Sequence, residues 1–323
     1  MPPEFAFPRA LRSDPEADFD DRFGTEVECL LYLMELRWEK RFRCTTPTCK
    51  STEAWLTEDL RWSCAGCRQK VSVTAGTILD RQRIQIRSWL AVAWYITSRS
   101  IPVSAADLRR ELHLTYQTAR TVLHKLRTAM RRSAQRPLRG PVEVAMIYLR
   151  QGKQGVLKPR IRGRFPIAIA VGVSRKKGLG RLHLCSIQDN SDDGLVSFVC
   201  DVVKPGAEVR TVRPHNSLYE RGYNHVRVGH SANSDSTRAL LLGVGKVALE
   251  LEKWLGWIQW RRPFQKSITA SQLDYYLYEF AFRFNSDDSG PNLLFERLVK
   301  YALATPPTPL RASRAGQRKL LFY

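Results

Sequence analysis

Val27, Leu30, Leu31 and Met34 recur at helical spacing and predict a short helix over residues 26–37. Residues 41–73 break into short polar-aromatic segments around two cysteine pairs, a pattern of small strands and tight turns. From 86 to 132 the period is helical again, with interruptions at 100–104 and 113–115. A Pro- and Gly-bearing stretch, 136–141, then reads as a linker. Beyond it the period changes. Residues 142–149, 165–174 and 181–188 are rich in Val, Ile and Leu and predict three successive strands. A helix over 192–203, a fourth strand over 207–212, and helices over 240–257, 271–284 and 292–303 complete an α/β order. Residues 1–24, with Pro2, Pro3, Pro8, Pro15 and four Asp, read as an unstructured leader.

Charge changes this picture from folding pattern to partner. The 323 residues carry 52 Lys+Arg against 31 Asp+Glu, a net +21. Residues 1–28 hold three basic and eight acidic side chains, whereas 29–140 hold 21 and eight and 141–323 hold 28 and 15. An acidic leader therefore precedes two basic blocks, each of net +13. Excess positive charge on a folded domain favours a polyanion, because neutralised phosphates release condensed counterions. Nucleic acid is the expected partner and an anionic membrane surface the alternative. No apolar run approaches the roughly 20 residues of a bilayer span, and no secretory signal is expected, so the reading is of a soluble, cytoplasmic, nucleoid-associated protein.

Four of the seven cysteines supply the first candidate chemistry. Cys44-x4-Cys49 and Cys64-x2-Cys67, fourteen residues apart, place thiolates on two tight turns that can meet around one structural Zn²⁺. Cys29, Cys185 and Cys200 stand singly among apolar residues, as small core side chains do. Ser104 with Asp107 has the form of a capping box opening a helix, and residues 113–115 form a turn into a second helix. That helix turns Ala119, Val122, Leu123, Leu126 and Met130 inward and is expected to present Gln117, Arg120, Thr121, Lys125 and Arg127 to DNA.

The cysteine quartet, Ser72-Val73-Thr74-Ala75-Gly76-Thr77-Ile78, Trp89 and residues 104–130 resemble the N-terminal half of bacterial insertion-sequence transposases of the ISXO-two type. The resemblance continues through Val142-Glu143-Val144, Gly222-Tyr223-Asn224-His225, Lys253-Trp254-Leu255 and the Tyr278–Asn285 stretch. It implies a multidomain α+β chain: a zinc ribbon with a preceding helix (25–80), a helix-turn-helix domain (81–136) and an RNase H-like α/β domain of DDE type (141–304), which composition flanks with the acidic leader (1–24) and a Pro-rich basic tail (305–323) carrying Arg311, Arg314, Arg318 and Lys319.

DDE chemistry uses three acids to hold two Mg²⁺ ions. The resemblance places the first acid at Ala145, followed by Met146, and the second at Val212, followed by Arg213; Glu250 fits the third. A transposase-like protein is therefore expected to bind double-stranded DNA without cutting it, with Glu250 a vestige. The alternative is an active transposase or nuclease, Mg²⁺-dependent, whose metal site is rebuilt from Glu143, Asp189, Asp192, Asp193 or His215. Homo-oligomerisation is implied by the resemblance alone.

Overall fold

The computed structural model describes residues 15–38, 42–148, 166–174, 178–187, 192–229, 240–260, 270–286 and 290–307. In chain order the elements are α1 (Pro15–Arg22), α2 (Glu26–Arg37), β1 (Ala54–Leu56), β2 (Trp62–Cys64), β3 (Lys70–Val71), α3 (Ile86–Thr97), α4 (Ala105–Glu111) and α5 (Tyr116–Met130). They continue as β4 (Val142–Tyr148), β5 (Pro166–Ser174), β6 (Gly178–Ser186), α6 (Asp192–Val202), β7 (Glu208–Thr211), α7 (Asn216–Glu220) and β8 (Asn224–Arg227). Three helices close the described chain: α8 (Leu242–Trp260), α9 (Ala270–Phe284) and α10 (Pro291–Ala304). No helix among these is long and apolar enough to cross a membrane.

The elements form two compact units, one holding α1 to α5 with α10, the other holding the residues from Arg131 through α9. In the first, Phe23, Trp94 and Phe295 meet at ring distances of 5.0–6.4 Å, and Tyr32 stacks on Phe295 at 5.9 Å. Phe19 joins them, 5.2 Å from Phe23. Residues 15–22 thus correct the expectation of an unstructured leader, because burying Phe19 and Phe23 offsets the cost of ordering a polar segment. Residues 1–14 lie outside the described chain.

The α2 helix starts from a capping box in which Thr25 and Glu28 exchange side-chain and backbone hydrogen bonds. It buries Cys29, Leu33 and Met34 and leaves Val27 and Leu31 exposed, a face different from the one expected. Its Glu26 carboxylate accepts the N–H groups of Ile86 and Arg87 at 2.6 and 2.9 Å, satisfying the open first turn of α3. The α10 helix follows the second unit in sequence yet packs on α2, α3 and α5. Phe295, fully buried against Trp94 and Phe23, is the anchor that draws it there.

The second unit is a five-stranded mixed sheet in the order β6-β5-β4-β7-β8. The β4–β5 and β5–β6 pairs are antiparallel; β4–β7 and β7–β8 are parallel. Alternation on the strands loads both faces. Ala145, Ile147, Ile167, Ile169 and Val171 pack under α8 and α9, and Val142, Val144, Ala168 and Ala170 under α6. Short β8 and α7 were not anticipated, since neither has a run long enough to show a period. Asn285 acts as a surrogate strand residue, exchanging hydrogen bonds with the Leu182 N–H and C=O at 2.7 and 2.9 Å.

Phe295→Ala should cost about 3–5 kcal/mol through the cavity it leaves. Hydrogen exchange should quicken across α1, α3 and α10, while the β4–β5 amides keep their protection.

Candidate functional site

The cysteine quartet sits on two turns of the small three-stranded sheet. Cys44 and Cys49 flank one turn, closed by the Cys49 N–H on the Thr46 carbonyl at 3.0 Å. Cys64 ends β2, and Cys67 follows after two intervening residues. The four sulfurs lie within 4.8 Å of one another, with Cys44–Cys67 and Cys49–Cys64 each 3.6 Å apart. A tetrahedral ion with Zn–S bonds of about 2.3 Å needs sulfurs about 3.8 Å apart. Four soft thiol donors at that spacing fit zinc, and they leave no open position for a substrate.

Local chemistry favours thiolate at two of the four positions, while at Cys49 the lowering effect of the Ser51 backbone N–H is outweighed by burial and the neighbouring cysteines, which push the thiol up to about 11. The Cys64 thiol is held down to about 6, first by the backbone N–H of Cys67 and then by that of Gly66. Cys44 is lowered as well, chiefly by the Thr46 hydroxyl. Gly66 allows a close approach: a Cβ there would stand 3.0 Å from the Ser51 Cβ and 3.2 Å from the Cys49 sulfur, so both would have to give by a few tenths of an ångström. Around the sulfurs, Phe42, Val71, Trp38 and Trp62 make a core too small to hold the module without a crosslink.

Just beyond the ribbon, the Arg37 guanidinium donates to three carbonyls of the Ser72–Ala75 turn: to Val73, to Ala75 at 2.7 Å and to Ser72 at 3.4 Å. It pins the Ser-Val-Thr-Ala-Gly-Thr stretch to the end of α2. Residue type alone gave no sign of this role.

The α4–α5 pair has the expected start: Ser104 and Asp107 exchange hydrogen bonds at 3.0 and 3.2 Å. His113 takes the left-handed conformation (φ +51°) that lets the chain turn within four residues. Thr115 then caps α5 by accepting the Thr118 N–H at 3.1 Å. Gln117 and Arg120 are exposed near the start of α5, with Thr121 half-buried beside them. Lys125 is tied inward, its ammonium 3.4 Å from the Ile78 carbonyl and 5.9 Å from the Trp89 ring centre. Arg127 corrects the expected contact set. It is 2% exposed and donates to the Val103 carbonyl at 2.7 Å, so it locks α5 onto the segment before α4.

In the second unit, Ala145 and Val212 are each 5% exposed and belong to one apolar cluster with Val247, Ala248 and Leu251 of α8. Met146 points to the opposite side of the sheet, against the α6 layer. Glu250 is half-buried on α8. Glu143, on the Ala145 side of β4, accepts the Gly243 and Val244 N–H groups at 2.7 and 3.1 Å, both with Oε2, and so caps α8. A Cβ on Gly243 would stand 2.9 Å from that oxygen.

His215 is buried with Nδ1 3.8 Å from the exposed Asp192 carboxylate, and His225 meets the Thr211 hydroxyl at 2.7 Å. Burial lowers the pKa of both imidazoles. Asp193 is exposed, and Asp189 lies outside the described residues. Among the described residues, the cysteine quartet is the one group of three or more His, Cys, Asp or Glu whose ligand atoms converge. Around Ala145 and Val212, no three such side chains converge among the described residues.

Comparison with known families adds two matches. A model described as ISXO2-like transposase domain matches residues 137–285, and one described as transposase zinc-ribbon domain matches residues 24–70. No curated protein matches the chain.

Chelation of the zinc-loaded protein should unfold residues 42–72, seen as loss of amide protection there, with the β4–β7 sheet intact. Gly66→Ala should release zinc at least tenfold more readily to a competing chelator, equivalent to about 1.4 kcal/mol. Unchanged competition would remove the close-approach argument.

Proposed function

The chain belongs to the transposase family whose zinc-ribbon and ISXO2-like domains it carries, and we propose that it binds duplex DNA without cleaving it. The resemblance implies a nuclease role for the domain that spans residues 137–285. The observation that carries the proposal is the joint burial of Ala145 and Val212 in one apolar cluster. Mg²⁺ is a hard cation that takes oxygen ligands at about 2.1 Å, and neither side chain has an oxygen. Glu143, the nearest substitute in sequence, already spends one carboxylate oxygen on two backbone N–H groups of α8. Moving it to a metal would leave those donors open in a buried setting, at a cost of about 1–3 kcal/mol each. Of the three positions at which the resemblance implies acids, Glu250 on α8 is the one that holds a carboxylate.

The DNA-facing part of the proposal is α5. Its first turn offers Gln117 and Arg120 on one exposed face, and such positions on the second helix of a pair reach base edges in a major groove. Zinc holds the ribbon as a folded neighbour in the same unit. Pairing of two copies on DNA and association with the nucleoid belong to the same reading.

Gel-shift titrations on a duplex panel, paired with nicking assays in Mg²⁺ and Mn²⁺, test it. Wild type should bind with steep salt dependence and leave every strand intact, and Glu250→Ala should change neither result. Arg120→Ala should weaken binding about tenfold while melting unchanged. Arg127→Ala should instead lower stability by about 2–3 kcal/mol. Metal-dependent nicking that disappears in Glu250→Ala would contradict the proposal.

A further inference from the structure

A recess of about 390 Å3 opens between the end of α2 and the inner face of the ribbon sheet. Its walls include Trp38, Phe42 and Trp62, whose ring centres lie 5.4–6.0 Å from one another, and Glu35 and Glu53 stand at its edge. On a chain of net +21 this is an unusual combination, since two carboxylates beside an aromatic cluster repel phosphate. Neither Glu35 nor Glu53 forms an ion pair among the described residues. The indole N–H of Trp62 is buried and finds no acceptor.

We propose that this recess is a docking site for a protein partner, and that it takes an arginine or lysine side chain presented by an extended basic segment of that partner. Each part of the lining has a role in that arrangement. Indole and phenyl faces attract a cation through their quadrupoles, and the interaction strengthens as the cation is desolvated. The Arg37 guanidinium lies 5.1 Å from the Trp38 ring centre while it donates to the Ser72–Ala75 turn. Glu35 and Glu53 supply the counter-charge at the rim. The lining joins one turn of α2 to the ribbon, so its shape depends on the folded ribbon. The inference does not rest on the DNA-binding proposal, because α5 contributes nothing to the recess.

The test uses the full, zinc-loaded chain labelled with 5-fluorotryptophan, with the Trp62 resonance identified by Trp62→Phe. The probe is the peptide acetyl-Gly-Arg-Gly-amide, and its citrulline counterpart keeps the shape while removing the charge. The Arg peptide should shift the Trp62 fluorine signal with a dissociation constant of about 1 mM. Citrulline, or the Glu35→Gln/Glu53→Gln double substitution at exposed positions, should weaken binding at least fivefold with zinc content unchanged. Equal binding of the citrulline peptide, or no shift of the Trp62 signal at saturating Arg peptide, would overturn the proposal. So would a Trp62 shift produced by duplex DNA and absent with peptide. Arg120→Ala should leave peptide binding intact, which separates failure here from failure of the DNA reading.

Discussion

A pair of Mg²⁺ ions is held only where oxygen atoms converge, and at the two sheet positions where the resemblance implies the first acids this protein turns carbon toward α8. Ala145 on β4 and Val212 just after β7 are packed with Val247, Ala248 and Leu251 as part of a continuous apolar layer. That layer is buried apolar core, and neither Ala145 nor Val212 brings a side-chain oxygen to it. The proposed function follows from this. A nuclease-type scaffold keeps its sheet and helices because hydrophobic burial holds them, and burial is indifferent to whether the acids remain. The capacity to fold and the capacity to cut are carried by different residues.

Carboxylates do survive at structural posts. Glu26 and Glu143 perform the same task in the two units, each accepting two N–H groups at the start of a helix, α3 in one case and α8 in the other. An acid in that position satisfies orphan donors and meets the positive end of the helix dipole. Glu143 lies on the face of β4 that carries Ala145, which is why sequence alternation made it a candidate ligand. The structure gives it to the backbone of α8, with Gly243 leaving the space for its oxygen.

Much of the architecture was legible in the residues, and the parts that were not share physical causes. The quartet at 44, 49, 64 and 67 declared itself through spacing, since thiol pairs on tight turns have few other uses. The three strands before α6 were clear from continuous Val, Ile and Leu. By contrast, α2 is apolar on almost every side, so periodicity established the helix but could not choose between Leu31 and Leu33 as its buried face. Arg127 was misassigned because its charge outweighed its position; it follows Leu126 and stands four residues after Leu123, on the buried face. Sequence order suggested that α10 would cover the nearby sheet, whereas Phe295 found its aromatic partners in Phe23 and Trp94, far away along the chain. Long-range aromatic packing of that kind leaves no local trace. Neither does the Arg37 clamp, which reaches carbonyls 35 to 38 residues away.

The central claim concerns what the RNase H-like sheet can hold, and anomalous scattering reads it directly. A crystal of the full chain with duplex DNA, grown in Mn²⁺, should show a zinc signal at Cys44, Cys49, Cys64 and Cys67. No manganese should appear among Ala145, Val212 and Glu250. A manganese peak coordinated by Glu250 together with Glu143 or Asp192 would contradict the account.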